Sequence, residues 1–522
     1  MSDDGGKRLD ALLLTTADLA DAARQAVAQD YAVMPAGGLT SAIGSFLYDR
    51  AALNPRFRDV VAIRPKGTMT PEQVDPATPI DQILSHQIAI DRNRHTVTAG
   101  AGITFAQVNR VLEEEVGPNA RVLVDLTSVG SALVGGVIAT GGMGPMRVRP
   151  SMTCEAVCIT DGGPQPIILE GREAITAFEG MQGWTGMTTA VRMRYFDVPM
   201  LEFGLVLPIQ STDIDAMADL LNYLHSWSAI EPPATGNHLA AQHPENTILN
   251  GIELVSRDSL EQFIAQAADP ARSKAQGLLQ SCEYAGADML ACLTGWSDVS
   301  VDEVLGILLD EETETIGGVQ IDFGVGFSSG SEMESFRAIR EGAPDLARTY
   351  ARVVQPGKLR PWTTSTDINV AVPRDISAIA CVLSAYDDYR REIREVRKAM
   401  EGRVEVTLAA YGHLNPMGID PHHRVTLIAP EGSEAALEEA IEMVKKAKKE
   451  LIRAIVATAE AHDYTITGGE KGMPSVVEIA RASGGVDKAP ANLRRMLERA
   501  RAEIAKAPEN FTFRAPLELK AS

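Results

Sequence analysis

Three glycine-rich segments, each beside an apolar run, constrain this chain most. The first is PAGGLTSAIG, Pro35 to Gly44, which continues the short apolar run beginning at Tyr31. Consecutive glycines let backbone N–H groups turn toward one point and form an anion-binding nest, to which the hydroxyls of Thr40 and Ser41 add donors. Such a loop suits a pyrophosphate; a plain tight turn is the other reading of the same residues. The second is VDLTSVGSALVGGVIATGGMG, Val124 to Gly144, with Gly135, Gly136, Gly141, Gly142 and Gly144 crowded into an apolar stretch. Glycine costs about 0.5–1 kcal/mol relative to alanine inside regular structure, so the cluster points to close backbone approach or a sharp chain path. The third is GMQGWTGMTTAVRMR, Gly180 to Arg194, a glycine turn running into a strand.

Periodicity around these segments gives an alternation of strands and helices, hence an α/β or α+β first domain. A helix is expected over 16–30, capped by Thr16, with Leu19, Ala22, Ala23 and Ala26 at helical spacing. Strands are expected at Tyr31 to Pro35, Val60 to Ile63 and His95 to Ala101. A loop insertion is expected from Lys66 to Ser85. Thr104 and Gln107 form a capping-box pattern before a helix striped by Phe105, Val108, Val111 and Leu112, and Gly117 is placed to end it. After Pro199 the pattern changes. Strand-like runs such as LEFGLVLPI and TDINVAVP alternate with long helices. Residues 433–462 read as a helix capped by Ser433, and 487–506 as a charged helix. No repeat of fixed period is present. These shifts divide the chain into 1–200, 201–480 and a helical extension, 481–522.

Composition excludes whole classes of partner. A formal net charge of −21 repels polyphosphate backbones, which argues against nucleic acid. No run of 18 apolar residues exists, and the opening MSDDGGKRLD lacks the basic-then-apolar order of a secretory signal. Cys154, Cys158, Cys282, Cys292 and Cys381 form no C-x-x-C pair, so they suit a reducing cytoplasm rather than a cluster or structural zinc. A G-x-G-x-x-G fingerprint is absent, which argues against a nicotinamide-type binding mode.

The order and spacing of the glycine segments resemble the FAD-binding domain of the vanillyl-alcohol oxidase and p-cresol methylhydroxylase family. The resemblance is nearest the branch of D-lactate dehydrogenases, glycolate oxidase flavin subunits and D-2-hydroxyglutarate dehydrogenases. The family's first loop reads roughly P-x-R-G-G-G-T-S-x-x-G. Gly37, Gly38, Thr40, Ser41 and Gly44 match it, while Ala36 replaces the arginine and Leu39 the third glycine. Matching segments also stand at Thr96 to Thr104, at Ser131 to Thr140, and at Gly183, Gly186 and Thr189. The resemblance covers about residues 12–198. It implies an α+β fold: a two-subdomain FAD-binding domain of the p-cresol methylhydroxylase type plus a cap domain with an antiparallel sheet. It also implies non-covalent FAD held by Pro35, Gly37, Gly38, Leu39, Thr40, Ser41, Thr127, Ser128, Gly135, Gly136, Ala139, Thr140, Gly186 and Met187.

The second half carries VEVTLAAYGHLNPMGIDPHHRVTLIAP. If its two apolar runs pair as a hairpin, His413 approaches His422 and His423. Two histidines and a carboxylate make a divalent-metal site, whereas turn histidines bonded to backbone are the alternative. The family resemblance implies a metal held by His413, one of His422 and His423, and Glu470 of GGEKG, with zinc, manganese or iron as the ion. His422 lies two positions beyond the family spacing, Lys471 stands where the family has its histidine base, and Ser365 where it has a lysine. Arg340 in FRAIREGAP resembles the family's substrate-facing arginine, or is a surface helix residue.

The implied catalytic set is His413, Glu470, Lys471 and Arg340. Lys471 serves as a base if its pKa is lowered, and otherwise as a charge clamp. The implied activity is FAD-dependent dehydrogenation of a small 2-hydroxy acid by hydride transfer to flavin N5. Electrons then pass to an external acceptor or partner subunit. A metal-free alcohol or aldose oxidase and an electron-relay subunit of a larger complex are the alternatives. The residues leave self-association open.

Overall fold

The computed structural model describes residues 15–36, 56–63, 70–124, 129–142, 148–210, 213–227, 237, 239, 246–309, 315–316, 319–320, 325–328, 331–340, 355–366, 368–371, 376–415, 418–462, 465–467, 473–512, 515–516 and 519. The first helix, α1 (Thr16–Ala28), starts where expected and ends two residues sooner. Thr15, not Thr16, is the cap: its hydroxyl accepts the Asp18 N–H, and the Asp18 carboxylate accepts the Thr15 N–H. This reciprocal pair satisfies two donors that the helix start leaves open. Thr16 is buried, and its hydroxyl donates to Thr189 instead.

The apolar stripe of α1 packs on β1 (Tyr31–Pro35), which pairs in parallel with β2 (Asp59–Ile63). The loop insertion expected at 66–85 is corrected over its described part. Glu72–Gln73 (β3) pairs in parallel with β4 (Gln87–Asp91), and Ile80 and Ile83 are buried. β5 (Thr96–Gly100) leads into α2 (Phe105–Glu115), whose expected capping box between Thr104 and Gln107 is formed. Phe105, Val108 and Leu112 are fully buried, each contributing roughly 1.5–3 kcal/mol of hydrophobic stabilisation. A seven-residue helix, α3 (Val134–Thr140), is closed by Gly141 in the left-handed region at φ 67°. With β6 (Cys154–Thr160), β7 (Ile167–Glu170) and β8 (Met187–Arg194), the first sheet has the order β3-β4-β5-β8-β6-β7.

A second sheet begins at β9 (Leu201–Ile209). α4 (Ile214–Trp227) precedes β10 (Ile248–Ser256), and α5 (Arg257–Gln266) and α6 (Ala271–Ala285) precede β11 (Met289–Ser297). β12 (Val325–Phe327) and a helix over 331–340, α7, come next, followed by β13 (Trp362–Ser365), β14 (Asn369–Ala371) and α8 (Ile376–Ala399). The hairpin β15 (Glu405–Asn415) and β16 (Gly418–Ile428) is followed by α9 (Glu434–Ala461), β17 (Thr465–Thr467), α10 (Met473–Ala482) and α11 (Ala491–Lys506). The order is β12-β9-β11-β10-β15-β16-β14-β17, with β13 also on β16. Every pairing in it is antiparallel.

Side chains alternate between the two faces of a strand, so each face of this sheet carries its own core. Leu205, Ile252, Leu254, Leu408 and Val425 pack under α4, α8 and α9. Val206, Val255, Leu290 and Cys292 pack under α5, α6 and Met333, Phe336 and Ile339 of α7. Two details differ from expectation. Ser433 makes no side-chain cap bond to α9, and the last long helix begins at Ala491, after a 3-10 turn at Val486–Lys488. Leu493 and Leu497 of α11 belong to the same core as the second sheet, as do Met181 and Trp184 of the third glycine segment. That shared core brings the glycine segments and the second sheet together.

Candidate active site

The described parts of the three glycine segments converge. A Cβ on Gly183, at φ 70°, would lie 3.1 Å from Pro35, so the third segment packs on the end of β1 that opens the first. The Gln182 N–H donates to the Ala139 carbonyl at 2.8 Å, joining the third segment to the second. Gly135 serves packing: a Cβ there would stand 2.7 Å from that of Ala101, so glycine lets α3 lie against the turn after β5. Gly186, at φ 156°, faces the Thr160 carbonyl with equally little room. Met187 is buried with α1 and β1, while Gly136, Ala139 and Thr140 remain partly accessible. The Thr140 hydroxyl donates to the Gly136 carbonyl and is thereby held against α3.

Two hydroxyls in this region, Thr185 and Thr188, are buried with no hydrogen-bond partner among the described residues. A buried polar group without a partner costs about 1–3 kcal/mol, so two beside the converging glycines mark a place for a ligand rich in acceptors. The donor set and the tight backbone approach fit an FAD. Gly37, Gly38, Leu39, Thr40, Ser41, Thr127 and Ser128, expected to contact it, lie outside the described residues, as do Glu470 and Lys471.

The second sheet builds a polar site of another kind. The hairpin forms, and its strands run to Asn415 and Gly418. The histidines lie within the regular pairing of this hairpin. His413 is opposite Asp420 on one side and Glu253 on the other, and His422 is opposite Tyr411. Directly opposed residues share a face, and so do residues two apart on a strand. Glu253, His413, Asp420, His422 and Arg424 thus line one face, and all are buried. His413 Nδ1 is 3.3 Å from Glu253 Oε1, and His422 Nε2 is 3.7 Å from Asp420 Oδ2. The two imidazoles meet edge to face, with ring centres 4.9 Å apart. Arg340, on α7, is 5% exposed, and its Nε donates to Glu253 Oε2 at 3.1 Å. It is therefore no surface helix residue.

His423 faces the other way, because consecutive strand residues alternate. Its ring lies 4.8 Å from that of Tyr386 and 6.1 Å from that of Tyr389, both on α8, and neither ring nitrogen has a hydrogen-bond partner among the described residues. Burial, and secondarily the Arg390 guanidinium, hold its pKa well below the usual value, so the ring is neutral near pH 7. The expectation that either His422 or His423 could meet His413 is thereby narrowed to His422. Among the described residues no group of three or more His, Cys, Asp or Glu side chains is arranged to hold a metal ion. Glu253 is engaged by Arg340, and the described donor set does not fit a metal.

Glu253 was not singled out from sequence. Its signal is a single carboxylate inside the apolar strand ILNGIELVS, where a charge buried on a central strand needs a partner. Asp420 has the same signature in GIDPHHRV. Arg337, one turn before Arg340, pairs with Glu202 of β9 and fixes the same helix to the sheet edge.

An FAD binding domain family matches residues 73–161, which run from β3 to the end of β6. No curated protein sequence matches the chain. Among solved structures, 4-ethylphenol oxidase from Gulosibacter chungangensis superposes with a TM-score of 0.57 at 11% identity, covering 97% of this chain and 88% of that one. An alkyldihydroxyacetonephosphate synthase gives 0.54 at 13% identity, over 86% of this chain and 73% of that one. Berberine bridge enzyme from Eschscholzia californica gives 0.51 at 13% identity, over 97% and 89%. At such identities the likeness is one of fold, and it spans both sheets. Residues 73–161 therefore match an FAD binding domain, and the described chain has a mixed helix-and-sheet fold similar to those of these flavin-dependent proteins.

Proposed function

We propose that the protein dehydrogenates a small 2-hydroxy acid and passes the electrons to an external acceptor. The observation that carries this reading is the buried face of the second sheet, where a guanidinium and two imidazoles stand beside one another. Oxidising such a substrate needs a cation to hold its carboxylate and a base to take the hydroxyl proton. It also needs a geometry that aims the C2–H at an acceptor. Arg340 supplies the charge, and its guanidinium suits a planar carboxylate. His413 is the base: it takes the hydroxyl proton as the C–O bond becomes C=O. His422, 4.9 Å away, extends the polar surface beside it. When bound, FAD supplies the two-electron acceptor for the departing hydride.

Backbone groups of the converging glycine segments, with Thr185, Thr188 and Thr140, would hold the cofactor without a covalent link. The roles given to Glu470 and Lys471 remain part of this reading, with Lys471 as a charge clamp for the substrate. The divalent ion expected on His413, His422 and Glu470 has no support among the described residues, where Arg340 engages the carboxylate beside His413. Elemental analysis of protein purified without chelator is expected to give less than stoichiometric zinc, manganese and iron. Among the described residues no helix is long and apolar enough to cross a membrane. All five cysteines are unpaired, which suits a reducing cytoplasm.

The deciding experiment is anaerobic titration of the FAD-loaded protein with D-lactate, glycolate and D-2-hydroxyglutarate while following flavin absorbance. Bleaching by at least one hydroxy acid is expected. Bleaching by simple alcohols or aldoses alone would replace the substrate class. No bleaching by any of them would favour an electron-relay subunit.

A further inference from the structure

We propose that Glu253 is the positioning residue of this site, one carboxylate that sets both the place of Arg340 and the tautomer of His413. This rests on the reading of His413 as the base. Oε2 accepts from Arg340 Nε at 3.1 Å, and Oε1 stands 3.3 Å from His413 Nδ1. Glu253 is 3% exposed and His413 3% exposed, so little water screens the pair. A neutral imidazole carries one N–H and one lone pair. Were the lone pair on Nδ1, it would face a carboxylate oxygen across 3.3 Å in a water-poor setting, and the two would repel. That repulsion favours the proton on Nδ1 and leaves the lone pair on Nε2, where it can accept a hydroxyl proton. Because Glu253 and His413 are directly opposed on adjacent central strands, the spacing is fixed by sheet pairing and not by loop conformation.

The same carboxylate ties the base to the substrate-binding charge. Arg340 lies on α7, and Phe336 and Ile339 of that helix are packed into the core on the same face of the sheet. Glu253 thus joins two elements far apart in sequence and holds guanidinium and imidazole in one relative geometry. Sheet pairing alone would not fix Arg340.

Glu253→Gln separates positioning from bulk. The amide oxygen can still accept from Arg340, which leaves the amide N–H2 facing His413 Nδ1. A donor there draws the lone pair to Nδ1 and moves the proton to Nε2. In the FAD-loaded full-length protein labelled with ¹⁵N-histidine, long-range ¹H–¹⁵N correlations report the tautomer directly, with the His413 signals assigned by their loss in His413→Gln. The expected result is an Nδ1–H tautomer in the parent and an Nε2–H tautomer in Glu253→Gln. The limiting rate of anaerobic flavin reduction should fall roughly 10²–10⁴-fold, the range for loss of a general base, with substrate affinity changed far less.

If Glu253→Gln does not fold, Glu253→Gln/Arg340→Met removes both charges together. The His413 tautomer should still be reversed. An unchanged tautomer in the folded variant overturns the proposal, as does a fall in rate and affinity together in step with lost folded protein. If no hydroxy acid or alcohol reduces the flavin of the parent, the functional reading fails by itself. The tautomer measurement then still decides whether Glu253 orients His413.

Discussion

The converging glycine segments and the buried face of the second sheet are built in opposite ways. In the described glycine segments, backbone comes close because side chains are absent, at Gly135 against Ala101 and Gly183 against Pro35. The sheet face does the reverse. It buries Glu253, Asp420, Arg340 and Arg424 with two histidines on paired strands and one helix, where Arg340 donates to Glu253 and each histidine lies beside a carboxylate. A backbone cradle tolerates many side-chain changes but no added Cβ. A charge cluster tolerates added bulk but no lost partner.

Arg340→Ala should produce the largest effect. Removing one member of a buried pair leaves Glu253 uncompensated and costs about 3–5 kcal/mol. Urea unfolding of the FAD-loaded protein should show it; a loss below about 1 kcal/mol would mean that solvent reaches the pair. Next comes Gly135→Val. The added side chain meets Ala101 at once, and overpacking costs roughly 1–3 kcal/mol. FAD should also be lost on gel filtration while the second sheet keeps its far-UV circular dichroism. Normal flavin content would show that α3 does not set the cradle.

A third test concerns the opposite face of the hairpin. His423 binds its proton far less readily in the folded protein than in the unfolded chain, whose histidines titrate near 6.5. Its contribution is therefore intact above about pH 6.5 and is lost as pH falls below it, by about 1.4 kcal/mol per pH unit. His423→Phe, between Tyr386 and Tyr389, should remove that slope, read as unfolding midpoints between pH 6.5 and 5. An unchanged slope would assign the acid sensitivity to other groups. The smallest effect is expected for Thr188→Val. Loss of one hydroxyl to a bound FAD should weaken its affinity roughly 2–10-fold, from about 0.5–1.5 kcal/mol, with no loss of apoprotein stability. Weaker apoprotein without weaker FAD binding would place the hydroxyl outside the cradle.

How far the sequence reached differs between these regions for physical reasons. Helix α2 was readable to the residue because a capping box and an apolar stripe are local signals. Thr15 was missed for Thr16 because both neighbours have the right chemistry, and only burial against Thr189 separates them. The edge strand Glu72–Gln73 was missed because two polar residues carry no alternation.

The sequence by itself marked the glycine segments, whose described parts converge. Glycine is conspicuous in an apolar run, and its spacing along the chain is the property that matters to backbone. It also determined that His413, His422 and His423 would share a hairpin. Only the tertiary structure decided which of them meet. Period-two alternation sends His423 into the apolar layer under α8 while His422 joins His413, and register places Glu253 opposite His413, 160 positions away in sequence. Nothing local in ILNGIELVS announces that pairing. A buried carboxylate needs a partner, but which partner it finds is fixed by strand order, and strand order is a property of the whole sheet.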